Sequence, residues 1–316
     1  MNYRYLFGPV PSRRLGRSLG IDLVPHKTCS FNCVYCECGK TTRLTIQRAE
    51  YVPTSEVLSE LNQFLSADPQ LDYVTFSGAG EPTLHIGLGK IVTFIKTNFP
   101  HYKLAILTNS SLFYQKVLRA EIIDIDLILP SLDAADEDIF HKINRPHPEI
   151  GLNQIISGLI ELRKIHQGQM WLEIFIVPRL NDSPDHIDKL KQAIHQIKPD
   201  IVQLNTLDRP GTTSWVTRAL QDQLEDIAKQ LDWHTEVIAQ FPDRKASKAY
   251  QRDIESAILE IIKRRPCTLE DLSRMLGLHV NEVNKYLDVL IKADKIHARQ
   301  MERGLFYWAK ASKIAN

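Results

Sequence analysis

The apolar residues of this chain alternate between two periods. Short apolar runs at 18–25, 73–78, 103–109, 127–133, 170–178 and 201–207 read as strands. The stretch Trp171 to Val177 is nearly all apolar, as expected of a parallel strand covered by helices. Helix-period stripes lie between the runs: Val57, Leu58, Leu61, Phe64 and Leu65; then Ile187, Leu190, Ile194 and Ile197; then Val216, Leu220, Leu224, Ile227 and Leu231. Strand and helix units in series predict a parallel α/β fold, either an open doubly wound sheet or a complete or partial barrel. The pattern by itself leaves that choice open.

The pattern changes near Gln240. The polar stretch Phe241 to Lys248 carries Pro242, which predicts a linker at 241–250 between a first domain, 1–240, and a second, 251–316. In the second, Ile254, Ile258, Ile261 and Ile262 form a helical stripe ending before Pro266. Thr268 with Asp271 resembles a capping box, opening a short helix that stops at Gly277. Val283, Leu287, Leu290 and Ile291 mark a third helix, and Ile296 to Trp308 reads as two strands around Arg303-Gly304. Three helices followed by a hairpin is the order of a winged helix-turn-helix.

The charges nearly cancel: 39 Lys and Arg against 38 Asp and Glu, a formal +1 over 316 residues. This excludes a surface uniformly basic for nucleic acid but not a local patch. No apolar run approaches the ~20 residues of a membrane helix, so no membrane partner is expected. The first twenty residues carry Arg4, Arg13, Arg14 and Arg17 without a long apolar block. That is not a secretory pattern, and a cytoplasmic location is expected. Of the five cysteines, Cys29, Cys33, Cys36 and Cys38 lie within ten residues and Cys267 is remote. An odd, clustered set points to metal or redox chemistry rather than disulfides.

Cys29-x-x-x-Cys33-x-x-Cys36 directly follows the first predicted strand. Thiolates suit an iron–sulfur cluster or zinc. Three cysteines on a four-iron cluster leave one iron open to an outside ligand. The alternative, zinc with Cys38 as fourth ligand, lacks the usual second paired element. This spacing, with Tyr35 before the last cysteine and the serial strand–helix units, resembles the radical S-adenosylmethionine (SAM) superfamily. The resemblance implies a partial (β/α)6 barrel of parallel strands and one [4Fe-4S] cluster on Cys29, Cys33 and Cys36. It implies SAM bound at the fourth iron and cleaved by a cluster electron to methionine and a 5′-deoxyadenosyl radical, which takes hydrogen from a substrate. An electron donor such as a flavodoxin or ferredoxin is implied with it.

Tyr73-Val-Thr-Phe-Ser-Gly-Ala-Gly-Glu-Pro82 resembles the family's Gly-Gly-Glu element, with Ala79 interrupting the glycine pair. The resemblance makes Gly78, Gly80 and Glu81 SAM-binding residues, Glu81 facing the amino group. Family members also bind SAM from the ends of the next two strands, here Asn109, Ser131 and Asp133. Each of those three is equally read as a helix cap.

A longer set of segments carries a narrower likeness: Phe7 to Leu15, Ser18 to Leu23, Pro130 to Ala134, Ile143-Asn-Arg-Pro-His-Pro148, Phe175 to Ser183, and Gln203 to Gly211. They resemble iron–sulfur oxidoreductases grouped with the tRNA wyosine synthases. Those synthases carry a second cluster, for which this chain lacks the cysteines. The likeness implies an RNA substrate, or a protein one, docked through the C-terminal domain. Arg13, Arg14, Arg145 and Arg209 are candidate grips on an anionic substrate, against a simpler role in surface salt bridges. His26 and Lys27 read as solvated, Cys38 as a spare thiol near the site, and Cys267 as structural. The third C-terminal helix, over 279–294, has two cations against three carboxylates, which weakens a DNA-binding role. Tyr307 and Trp308 read as packed under the wing. Chemistry on a small metabolite and a cluster- or SAM-sensing regulator are the alternatives.

Overall fold

The computed structural model describes residues 3–12, 14–208, 211–238, 254–278 and 280–310. The predicted linker at 241–250, together with Arg13 and Arg209, lies outside the described residues. The elements run β1 (Leu6–Ser12), β2 (Gly16–Ile21), β3 (Thr28–Cys29), β4 (Arg43–Leu44), α1 (Thr54–Leu65), β5 (Tyr73–Phe76), α2 (Leu88–Asn98) and β6 (Leu104–Thr108). They continue with α3 (Lys116–Glu121), β7 (Leu127–Pro130), α4 (Glu137–Asn144), α5 (Leu152–Ile165), β8 (Gln169–Phe175), α6 (Pro184–Ile197), β9 (Ile201–Asn205), α7 (Gln221–Leu231) and β10 (Thr235–Val237).

Each of the six predicted strands is present. They sit in an eight-stranded sheet ordered β1-β2-β5-β6-β7-β8-β9-β10. The pairs from β2 to β10 are all parallel, and β1 is antiparallel to β2. The order never reverses, so the sheet is singly wound like a barrel and lacks the switch point of a doubly wound sheet. It ends in two edges and is therefore open.

Two strands of this sheet were not legible. β1 contains Gly8, Pro9 and Pro11 and shows no alternation, a composition tolerated only at an edge. Its register shifts between Phe7 and Val10, where Gly8 has φ +97°, a bulge conformation that glycine adopts without strain. β10 is three residues long, two of them polar, too short for a period.

One sheet face packs on the helices. Val74, Phe76, Leu104, Ile106, Ile128, Leu172, Ile174, Val202 and Leu204 belong to the main core. Helix α6 shows how the sequence builds it. Ser183 caps its start, Pro184 follows with φ preset, and Lys198 closes it in the left-handed region. Ile187, Leu190, Ile194 and Ile197 are all buried, each contributing about 1.5–3 kcal/mol. The other sheet face carries a smaller cluster of Leu15, Ala105, Leu127 and Leu129, with Tyr73, Leu107 and Trp171 packed on it. In the predicted third stripe only Leu224, Ile227 and Leu231 lie inside α7; Leu220 is its exposed cap. Val216 is withdrawn into a separate cluster with Val34, Ile143, Phe175 and Val177.

The C-terminal segment comprises α8 (Ile254–Arg264), β11 (Cys267–Thr268), α9 (Leu269–Leu276), α10 (Val280–Lys292), β12 (Ile296–Met301) and β13 (Gly304–Ala309). Its sheet is ordered β11-β13-β12, and it has its own hydrophobic cluster, including Ile258, Leu272, Val283, Leu287, Leu290 and Tyr307. The Thr268–Asp271 capping box forms, and Gly277 ends α9 at φ +64°. Ile291, predicted on the buried stripe, is 41% exposed. Among the described residues no helix is long and apolar enough to cross a membrane.

The two parts meet over β1 and β2. The Arg264 guanidinium stacks 3.9 Å above the Phe7 ring and pairs with Asp22 at 2.6 Å. Arg303 bridges Asp271 at 2.6 Å and Asp208, beyond β9, at 3.4 Å. The Phe7 ring lies flat on Gly20, where an added Cβ would fall 2.0 Å from ring carbon. Gly20→Ala is therefore expected to lift Phe7 away from Arg264 and to lower stability by about 1–3 kcal/mol, read as a drop in the thermal unfolding midpoint.

Candidate active site

The cysteine loop leaves β2 at the end of the sheet where the loops after β5, β6, β7, β8 and β9 converge. It has little secondary structure of its own, so its backbone groups need partners elsewhere. The end of α4 and the residues after it supply one side. Asn32 N donates to the carbonyls of Asn144 and Arg145, Val34 N to Ile143 O, and His147 N to Ser30 O. The Gly-Glu-Pro element supplies another. Lys27 N donates to Ala79 O, and Glu81 N to Thr28 O. An added Cβ at Gly80 would fall 2.2 Å from Thr28 O, and one at Gly78 2.2 Å from Asp22. The two glycines therefore permit close packing against the loop and against Asp22. The loop after β9 closes a third side, with Thr212 Oγ1 donating to Cys33 O and Val34 O, and Thr213 Oγ1 to Val34 O.

All three predicted ligand cysteines are half-buried and unbonded to one another. Each sulfur receives a side-chain N–H from a different segment. Asn109 Nδ2 lies 3.5 Å from Cys29 Sγ, Asn144 Nδ2 3.5 Å from Cys33 Sγ, and Lys27 Nζ 3.0 Å from Cys36 Sγ. Lys27 is 4% exposed, which corrects the solvated role expected of it. Burial opposes its charge, but the neighbouring thiols, Cys36 first, leave its pKa raised. Burial pushes Cys29 up to about 12 and raises Cys33. Cys36 is instead lowered to about 5, through a hydrogen bond with Cys38 and then the Lys27 ammonium. Among the described residues no three His, Cys, Asp or Glu side chains converge on one point as a single metal ion requires.

The predicted SAM-binding residues divide into two groups. Gly78, Gly80 and Ser131 line the strand ends; Ser131 pairs through its backbone with Thr108 O and bridges to Glu173. The others are engaged inside the protein. Glu81 is 2% exposed. It accepts from Thr83 N and Oγ1 at 3.1 and 2.6 Å, from Thr108 Oγ1 at 2.7 Å and from Asn109 N at 2.8 Å. Burial still leaves its pKa raised against those donors. Asn109 turns its amide to Ser30 Oγ and Cys29 Sγ. Asp133, 3% exposed, accepts from Tyr35 OH at 2.5 Å, Asn144 Nδ2 at 2.6 Å and Phe175 N at 2.9 Å. Burial raises its pKa to about 6. Tyr35 stacks on Phe175, ring centroids 3.8 Å apart. In this arrangement Tyr35, expected with the others to contact the cofactor, Asn109 and Asp133 brace the cysteine loop.

The arginines divide as well. Arg14 is ion-paired with Glu173, and Arg145 is an exposed left-handed cap of α4 whose carbonyl accepts from the loop at Asn32. Two further cations near the loop, Arg264 and Arg265, had not been singled out. A cavity of about 210 Å³ is lined by Arg14, Ser18, Thr75, Ser77, Gly78 and Cys38, with Arg264 and Arg265 closing it from the C-terminal segment. The only sequence signal for them was the cationic run Lys263-Arg-Arg265 before Pro266.

Residues 23–190 match the radical SAM superfamily. The chain belongs to this superfamily and, within it, to the UPF0026 proteins. It is 32% identical over 295 residues to a UPF0026 protein of Methanocaldococcus jannaschii, covering 90% of this chain and 89% of that one. It is 36% identical over 307 residues to a protein of Brachyspira hyodysenteriae named GTPase Obg, covering 96% of this chain but spanning only 45% of that protein. In fold it is similar to a radical SAM methyltransferase from Sphaerobacter thermophilus, with a TM-score of 0.53 at 16% identity, covering 70% of this chain and 65% of that one. The cofactors of the superfamily are a [4Fe-4S] cluster and SAM.

The donor set fits that cluster. Cys29, Cys33 and Cys36 would hold three irons, and each sulfur already has a hydrogen-bond donor, as iron–sulfur sites require. Such donors favour the more negative, reduced cluster. Lys27→Met is expected to lower the cluster's reduction potential by on the order of 50 mV, for a differential of about 1 kcal/mol, measured by EPR-monitored redox titration. Tyr35→Phe leaves Asp133 short of a donor and is expected to cost about 1–3 kcal/mol, read in chemical denaturation of the reconstituted protein.

Proposed function

We propose that this protein is a radical SAM enzyme acting on a macromolecular substrate, RNA first, in a cavity shared by its sheet and its C-terminal segment. In this reading residues 1–240 are a partial-barrel domain, 241–250 a linker and 251–316 a winged helix domain. The observation that carries it is the position of the end of α8. Arg264 and Arg265 line the same cavity as Cys38 and Gly78, so the C-terminal segment borders the cysteine loop. The helix order with a β11-β13-β12 sheet supports the winged helix assignment.

When bound, the cluster and SAM would supply the radical chemistry, and the protein supplies the positioning. Cys29, Cys33 and Cys36 hold the cluster, and Lys27, Asn109 and Asn144 set the environment of its sulfurs. Gly78 and Gly80 let backbone approach the ligand closely. A low-potential flavodoxin or ferredoxin supplies the electron, in the reducing cytoplasm that keeps the thiols free. The regulator alternative gains no support from the relatives.

The test is anaerobic. The cluster is reconstituted and reduced, SAM is added, and 5′-deoxyadenosine is quantified with and without cell extract. Extract is expected to stimulate production, and RNase is expected to remove the stimulation. Stimulation that survives RNase overturns the RNA reading, and protease treatment and filtration then separate a protein from a metabolite substrate. Cys33→Ala is expected to reduce 5′-deoxyadenosine below detection; unchanged production would overturn the radical SAM reading.

A further inference from the structure

A second, larger cavity of about 570 Å³ opens between the cysteine loop and the C-terminal segment, within the size range of small-molecule sites. Its loop side carries His26, Glu37, Cys38 and the backbone at Gly39 and Gly211. Its other wall is cationic: Lys263, Arg264 and Arg265 from the end of α8, and Arg299 from β12. Arg264 is paired with Asp22, and Lys263 with Glu260. Arg265 and Arg299 have no carboxylate partner among the described residues. Arg265 is half-buried and lines both this cavity and the smaller one beside Gly78. Trp308, stacked on His297 with planes 12° apart, completes the wall with an apolar ring face.

A half-buried guanidinium with no carboxylate partner, facing a cavity, is available to an anion from outside. Two of them beside an aromatic face match a phosphate attached to a stackable group. We infer that this cleft anchors a phosphate-bearing part of the substrate, with Arg265 as its principal contact and Arg299 as a second. This rests on the proposed function and names the chemistry its substrate must carry. The phosphate belongs either to a free nucleotide or to a polynucleotide backbone, and the cleft recognises the same group in both.

The test uses the full, cluster-reconstituted protein and two probes: GDP by isothermal titration, and a fluorescein-labelled single-stranded RNA 12-mer by anisotropy. At least one probe is expected to bind. Arg265→Ala is expected to weaken it by about 10-fold or more, and Arg265→Lys to retain part of the affinity. Arg299→Ala is expected to weaken binding several-fold and to reduce the salt slope of RNA binding by about one. Arg299 is exposed on a strand, so its variant decides the matter if Arg265→Ala fails to fold. Binding of GDP identifies the small-molecule source, and binding of RNA alone the polymer. Absence of binding by both probes overturns the inference, as does affinity unchanged in both alanine variants. Cluster absorbance and 5′-deoxyadenosine report separately on the radical chemistry. A protein that binds a probe through Arg265 yet makes no 5′-deoxyadenosine keeps this site and loses the proposed function.

Discussion

The cysteine loop must present three sulfurs in a set geometry although it has almost no regular structure, and that requirement organises the rest of the molecule. Its backbone is hydrogen-bonded by the 143–147 stretch, by the Gly-Glu-Pro element and by Thr212 and Thr213. Asp133 is the buried joint of this arrangement. It ties Tyr35, inside the loop, to Asn144 and to the backbone of Phe175 at the end of β8. Partners at fixed distances rigidify a loop far more than local propensity can. The side chains that brace the loop also reach the sulfurs, since Asn109 and Asn144 each contact both. Holding the ligands and setting their electrostatic environment are therefore done by the same groups.

The C-terminal segment has a hydrophobic core of its own, yet its charged residues are directed at the sheet. Arg264 lies between Phe7 and Asp22, and Arg303 between Asp271 and Asp208. Arg303, at the turn of the predicted hairpin, is thus engaged in docking. Burial pushes the Asp22 carboxyl up, and Arg264 opposes the shift; the pair is stable only while both partners are in place. Its position next to Gly78 puts the seat of the segment beside the loop that follows β5.

The α/β class, the six strands and the three-cysteine motif were legible because each rests on local order. An apolar run of seven residues, a 3.6-residue stripe or a Cys-x-x-x-Cys-x-x-Cys spacing is complete within one segment. The capping box at Thr268 and the stop at Gly277 were legible for the same reason. Val216 and Ile291 were misplaced because a stripe records only period, and burial at a stripe's end depends on what packs there.

What the sequence alone determined was the set of parts: parallel strand–helix units, three thiols after the first strand, and a separate helical segment with a hairpin. Only the tertiary structure decided which polar residues serve the loop. Lys27 is adjacent to the motif and read as solvated, yet it is buried against Cys36. Asn144 is 111 residues from Cys33, and Arg264 is 242 from Asp22. Hydrogen bonds and ion pairs act over a few ångströms and carry no trace of sequence separation, so these partners became visible only once the sheet had brought the strand ends together.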